Sequence, residues 1–238
     1  MSATNRGAER ASADYYPTPA WCVRRLLEAC PIPAAGGPEL RPRLWLEPCV
    51  GDGAIVRAVN GVALIAPTWI SADIRESCEP TWLGSYLDWL PPRPDVIITN
   101  PPFSLSFPIA QKALRDCPQG HVALLLRLNW LGSGTESGRS EWLRKNPPDV
   151  YVLPNRPAFV ASLGCKAKCG WKSMQALAEP RPRACPTCGG VVSCSTTDAT
   201  EYAWFVWTPD RERTRGSIQV LAETPEEERS VSAGKVAA

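Results

Sequence analysis

Residues 95–128 read DVIITNPPFSLSFPIAQKALRDCPQGHVALLLRL. VIIT is a near-continuous apolar run closed by Asn100 and a Pro-Pro pair, the pattern of a strand buried on both faces. SLSFPIAQKALRDC follows as a helix with Pro108 in an early turn, where the missing N–H costs no internal hydrogen bond. HVALLLRL is a second buried strand. Two buried strands joined by a helix form a parallel unit, because parallel neighbours require a crossover. An α/β fold with a mostly parallel sheet is the expectation.

The alternation extends in both directions. RLWLEP (43–48) reads as a strand, PCVGDG (48–53) as a turn, AIVRAV (54–59) as a short helix and TWISADI (68–74) as a strand. Nearer the start, Thr18 and Pro19 read as the N-cap and first-turn proline of a helix carrying Trp21, Val23, Leu26, Leu27 and Cys30. Beyond Leu128, NWLGSGTESG reads as a mobile loop and RSEWLRKN as a short helix. DVYVLP (149–154) and EYAWFVW (201–207) are strands that would make a hairpin, separated by an insertion holding five of the ten cysteines. These readings divide the chain into a disordered start (1–13), a main domain (14–160 and 199–208), an insertion (161–198) and a loosely held, charged tail (209–238).

Composition removes several function classes. Apolar residues are 44% and charged residues 21% of 238, ordinary values for a globular protein. No apolar run reaches the ~18 residues of a membrane span, and the first residues lack the apolar stretch of an export signal, so a soluble, cytoplasmic protein without a membrane partner is expected. A net charge of +2 is too small to reveal a nucleic-acid partner, which must be sought in local patches. The single histidine, His121, excludes a multi-histidine zinc centre and reads as a strand end rather than a triad base.

Chemistry concentrates at two strand ends. Glu47, Pro48, Gly51 and Gly53 lie where a strand turns into a helix, and glycines there let the backbone approach a ligand. Asp73 ends the next strand, where a carboxylate can accept hydrogen bonds from a ribose diol. Asn100, Pro101, Pro102 and Phe103 follow the VIIT strand at the end where ligands bind in open α/β sheets. The prolines stiffen the segment and fix its carbonyl directions. A nucleobase amine is a poor nucleophile because its lone pair is delocalised into the ring. The Asn100 side-chain oxygen and the Pro101 carbonyl can hold both amine hydrogens and favour a pyramidal nitrogen, while Phe103 offers a stacking face for an extruded base.

With these residues the sequence resembles the S-adenosylmethionine-dependent amino-methyltransferases that modify adenine N6, or less often cytosine N4, in DNA. The resemblance spans about residues 14 to 207. It implies a class I methyltransferase (Rossmann-like) sheet, mostly parallel with a final antiparallel strand. EPCVGDG is similar to the family's cofactor loop, Asp73 to its ribose carboxylate and NPPF to its catalytic loop. YPTP, with Tyr16, Thr18 and Pro19, is similar to the segment that holds the methionine end of the cofactor. Asp88 falls where the family places an acid near the cofactor's adenine amine. VYVLPNRPAF and EYAWFVW resemble the family's last two strands. The sequence departs from larger relatives in carrying no long target-recognition domain.

The insertion has its own signature. Cys165, Cys169, Cys185 and Cys188 are spaced C-x3-C, fifteen residues, C-x2-C, a pattern that closes a tetrahedral thiolate site on zinc, with Cys194 as an alternative ligand. Arg156, Lys166, Lys168, Lys172, Arg181 and Arg183 face one acid, Glu179, in this stretch, so a zinc ribbon that grips the DNA backbone is expected. Trp130, in the loop after HVALLLRL, is the aromatic expected to touch nucleic acid. The combined expectation is methyl transfer from S-adenosylmethionine to adenine N6 in DNA. The alternatives are cytosine N4, RNA, a protein glutamine amide, or an inactive zinc-containing DNA-binding protein.

Overall fold

The computed structural model of the chain describes residues 17–30, 32, 43–132, 138–157, 159–167, 169–176, 182–195, 200–210 and 212–230. Eight strands form the main sheet: β1 (Leu44–Glu47), β2 (Thr68–Asp73), β3 (Trp82–Leu83), β4 (Val96–Thr99), β5 (His121–Arg127), β6 (Asp149–Val152), β10 (Tyr202–Trp207) and β11 (Ile218–Val220). Their order is β11-β6-β10-β5-β4-β1-β2-β3, parallel throughout except for β10, which runs antiparallel to both neighbours. A separate antiparallel sheet comprises β7 (Val160–Cys165), β8 (Lys172–Ala176) and β9 (Val192–Ser195), with β7 central. The described helices are α1 (Ala20–Ala29), α2 (Ala54–Asn60), α3 (Ser106–Asp116), α4 (Arg139–Lys145) and α5 (Glu226–Ser230).

Strand periodicity divides the interior into two cores, since successive side chains point to opposite faces. Trp45, Ile98, Leu125 and Trp204 face one core with Trp21 and Leu26 of α1. Leu46, Ile97, Leu124 and Phe205 face the other with Ile109 and Ala113 of α3. Both faces being covered, the central strands need no polar alternation, which is why VIIT and VALLL are uninterrupted.

The reversed direction of β10 fixes where the insertion is rooted. Tyr202, its first residue, lies opposite Arg127, the last residue of β5, and Ala203 lies opposite Val152, the last of β6. The small sheet therefore leaves and rejoins the main one at the edge where β1, β2 and β4 end in Glu47, Asp73 and Thr99.

Three expectations are corrected. Pro19, not Thr18, occupies the N-cap of α1, and its carbonyl accepts from the Cys22 N–H at 3.0 Å. The segment after Thr208 is no loose tail over 212–230, because β11 adds to β6 in parallel register. Asp149 anchors it, accepting from Arg213 at 2.5 and 2.6 Å and from the Ser217 N–H at 2.8 Å, while Leu221 and Thr224 are buried. Paired with Arg213 in this way, the Asp149 carboxyl is held down to about 2. Finally, Trp130 belongs to a 3-10 turn (Leu128–Leu131) and is buried, its edge against Phe205 at 5.3 Å, so it is unavailable to a base. The rest of that loop, 133–137, lies outside the described residues.

Candidate active site

The carboxyl ends of β1, β2 and β4 converge on one cleft. Thr18, Glu47, Pro48, Gly51, Asp73, Asn100 and Pro102 line it, seven residues singled out in the sequence. The β1–α2 turn brings its backbone to the cleft because Gly51 and Gly53 adopt φ values of 56° and 77°, a left-handed region in which a side chain would be strained. Among the remaining candidates, Pro19 and Pro101 are buried behind the wall, Gly53 starts α2, and Asp88 is exposed beyond Leu87. Tyr16 lies outside the described residues.

Asp73 ties the turn to the end of β2. Its Oδ2 accepts the Gly51 N–H at 2.9 Å, and its Oδ1 accepts both the backbone N–H and Nε of Arg75, at 2.9 and 3.0 Å. Partial burial works to raise its pKa, but Arg75 and the Gly51 amide outweigh it and hold the carboxyl below its usual value. Arg75, which also lines the cleft, carried no sequence signal, because nothing in ADIR distinguishes a loop cation from one folded back onto the strand end.

Glu47 presents a different state. It is 2% exposed, lines the cleft, and its Oε2 has no hydrogen-bond partner among the described residues. Burial first, then the neighbouring carboxylates of Asp52 and Asp73, push its pKa well above 4.5. Because the folded value is raised, the stability linked to Glu47 is complete below the unfolded value and is lost as pH rises through the folded one. An unpaired buried group costs about 1–3 kcal/mol, and each kcal/mol moves Tm by roughly 2–4 °C at this size. Without cofactor, Glu47→Gln should melt roughly 3–10 °C above wild type at pH 8, with the two within about 2 °C at pH 5. An equal gap at both pH values would contradict this state of Glu47.

Asn100 opens the loop after β4, Pro102 holds extended angles of −52° and 127°, and Phe103 starts a 3-10 turn that runs into α3. The Ser106 hydroxyl donates to the Phe103 carbonyl at 2.8 Å and accepts from Trp130 Nε1 at 2.9 Å. Trp130 thus braces the Asn100–Phe103 loop from inside. Phe103 is half-buried with its ring 5.9 Å from Tyr202, and Tyr202 stacks edge-on with Phe159 at 4.9 Å. An aromatic series therefore runs from the loop to the root of the insertion.

Within the insertion, the sulfurs of Cys165, Cys169, Cys185 and Cys188 lie within 4.8 Å of one another. The Cys165–Cys188 and Cys169–Cys185 pairs are 3.4 and 3.6 Å apart. A tetrahedral zinc with bonds of about 2.3 Å needs sulfurs about 3.8 Å apart, so the four thiols fit the ion. Gly190 makes room: a Cβ there would meet the Cys188 and Cys165 sulfurs at 3.3 and 3.4 Å. The thiols share one charge unevenly: although desolvation works upward at Cys185, amide donors from Thr187 and Cys188 and the Cys169 and Cys165 sulfurs lower it to about 6, whereas Cys188, despite the Gly190 amide, is pushed up to about 12 by the sulfurs around it and Cys169 is also raised. Lys166, Lys172 and Arg183 are exposed around this site. Lys168 and Arg181 lie outside the described residues, as does the side chain of Cys194.

No protein-family model matches the sequence, and no curated protein matches it. Solved structures do match. The chain is similar over 92% of its length to a type I restriction-modification system methyltransferase subunit from Streptococcus thermophilus, with 11% identity and a TM-score of 0.55. A modification subunit of a putative type I restriction enzyme from Vibrio vulnificus aligns over 90% of the chain, with 13% identity and a TM-score of 0.49. The chain covers 51% of the Streptococcus subunit and 48% of the Vibrio one, about half the length of each. At this identity the Streptococcus likeness bears on fold alone.

Proposed function

We propose that the chain transfers a methyl group from S-adenosylmethionine to the exocyclic N6 amine of adenine in DNA. The fold is that of a class I methyltransferase, a mostly parallel sheet with one reversed strand among the described residues, carrying a small three-stranded insertion with a four-cysteine cluster. The observation that carries this reading is the position of Asn100 and Pro102 in the wall of the same cleft as Glu47 and Asp73. The same fold is found in a type I restriction-modification system methyltransferase subunit.

The residues suit the cofactor. Asp73, held ionised, accepts the ribose hydroxyls, and the orphaned carboxyl of Glu47 answers a buried ammonium. Gly51 leaves room beside them, and Thr18 and Pro17 close the cleft at its amino-terminal side. S-adenosylmethionine supplies an electrophilic methyl on a sulfonium. Asn100 Oδ1 and the Pro101 carbonyl accept the two hydrogens of the target amine and hold its lone pair toward the cleft, while Phe103 stacks the base. The N–methyl bond would form as the sulfonium–methyl bond breaks, S-adenosylhomocysteine would leave, and the strongly acidic proton left on the methylated amine would pass to solvent, so no side chain with an unusual pKa is required as a base. The insertion binds zinc through Cys165, Cys169, Cys185 and Cys188, and its basic residues contact the DNA backbone.

Asp73 provides a direct check of the cofactor assignment. Asp73→Ala removes charge-assisted hydrogen bonds worth about 1.5–3 kcal/mol. S-adenosylmethionine should bind roughly 10- to 100-fold more weakly in a calorimetric titration. Unchanged affinity would remove Asp73 from the site.

A further inference from the structure

Arg127 closes β5 beside the catalytic loop, is exposed, and sets its guanidinium carbon over the Phe103 ring, 4.4 Å from the centroid. Stacking on an aromatic face is a known habit of the planar guanidinium. This position is unusual for two reasons. The Phe103 face is the surface on which the proposed function needs a planar base, and none of the ion pairs among the described residues engages Arg127. Its backbone is fixed by the register with Tyr202, so only the side chain is free to move.

We infer that Arg127 is a substrate-positioning residue: its guanidinium covers the stacking face of Phe103 in the free enzyme and swings onto a backbone phosphate beside the target nucleotide when a base enters. The inference rests on the proposed nucleic-acid substrate. A cation that exchanges the Phe103 face for a phosphate couples base entry to backbone binding. It also favours a nucleotide over an isolated amide, since a protein side chain brings no phosphate to draw the guanidinium away. The cost of uncovering Phe103 is small at an exposed site, so a single charge-assisted phosphate contact is enough to offset it.

The test compares wild type, Arg127→Ala and Arg127→Lys. Binding to a fluorescein-labelled mixed-sequence DNA duplex is followed by anisotropy across a salt series, and methylation of unmodified plasmid DNA is followed with radiolabelled S-adenosylmethionine. For Arg127→Ala the KM for DNA should rise about tenfold, kcat should stay within about threefold, and the log–log salt slope should become shallower by about one. Arg127→Lys keeps the charge and should restore the slope. S-adenosylmethionine affinity should be unchanged in both variants. A wild-type KM and slope in Arg127→Ala would overturn the assignment, as would loss of cofactor binding, which would mark a structural role. If wild type binds cofactor but leaves DNA unmodified, the proposed function fails instead, and the salt slope still decides the role of Arg127.

Discussion

Asn100→Ala should abolish methylation while leaving S-adenosylmethionine affinity nearly unchanged. Asn100 follows β4 in the cleft wall, and Asp73 ends β2 on the far side of β1, so in the proposed reaction the Asn100 side-chain oxygen would meet the substrate amine while the cofactor's ribose would fall to Asp73. Removing one preorganised group aimed at the reacting atom typically costs about 2.7–4 kcal/mol, a loss of roughly 100- to 1000-fold in turnover. The stiff Pro101–Pro102 pair and the brace from Trp130 through Ser106 to the Phe103 carbonyl keep the loop in place in the variant. The loss should therefore be chemical and not structural. Turnover above a tenth of wild type, or a parallel loss of cofactor binding, would sink the assignment.

The second large effect is expected in the insertion. The purified protein should contain about one equivalent of zinc, and thiolate ligation should supply most of the folding free energy of so short a segment. Replacing both Cys185 and Cys188 by Ser removes two of four ligands. The double variant should lose the zinc and at least tenfold in DNA affinity, with a corresponding fall in methylation. S-adenosylmethionine should still bind, because the insertion joins the sheet through Val152 and Tyr202, whereas the cleft is built from β1, β2 and β4. Metal-free protein with full activity would leave the cysteine cluster without a functional role.

Which features were legible in the sequence follows from what each depends on. The central strands were plain, because burial on both faces leaves runs such as VIIT and LLL without polar residues. The cysteine cluster was equally plain, since thiolate geometry is written into short spacings. The last strand was not. Ile218–Val220 is only three residues long and exposed, and it is held by Asp149, 68 positions before its partner Ser217. Local composition carries no trace of such a pair.

Trp130 was misread for a related reason. A tryptophan beside a Gly/Ser-rich stretch looks solvent-facing, yet its fate was set by Ser106, Phe205 and Trp207, all remote in sequence. Arg75 and Arg127 were silent on the same ground: their partners Asp73 and Phe103 were identified, but nothing in the chain revealed that a cation already covers each. Glu47 was singled out at the end of β1, and it does line the cleft, whereas its burial and missing partner emerge only from three dimensions.

Adenine methylation in DNA can be read out in a host that has none of its own. Expressing the chain there and mapping modified bases genome-wide should reveal N6-methyladenine, absent when Asn100→Ala is expressed in its place. DNA free of modified bases, recovered from cells whose purified protein binds S-adenosylmethionine, would contradict it.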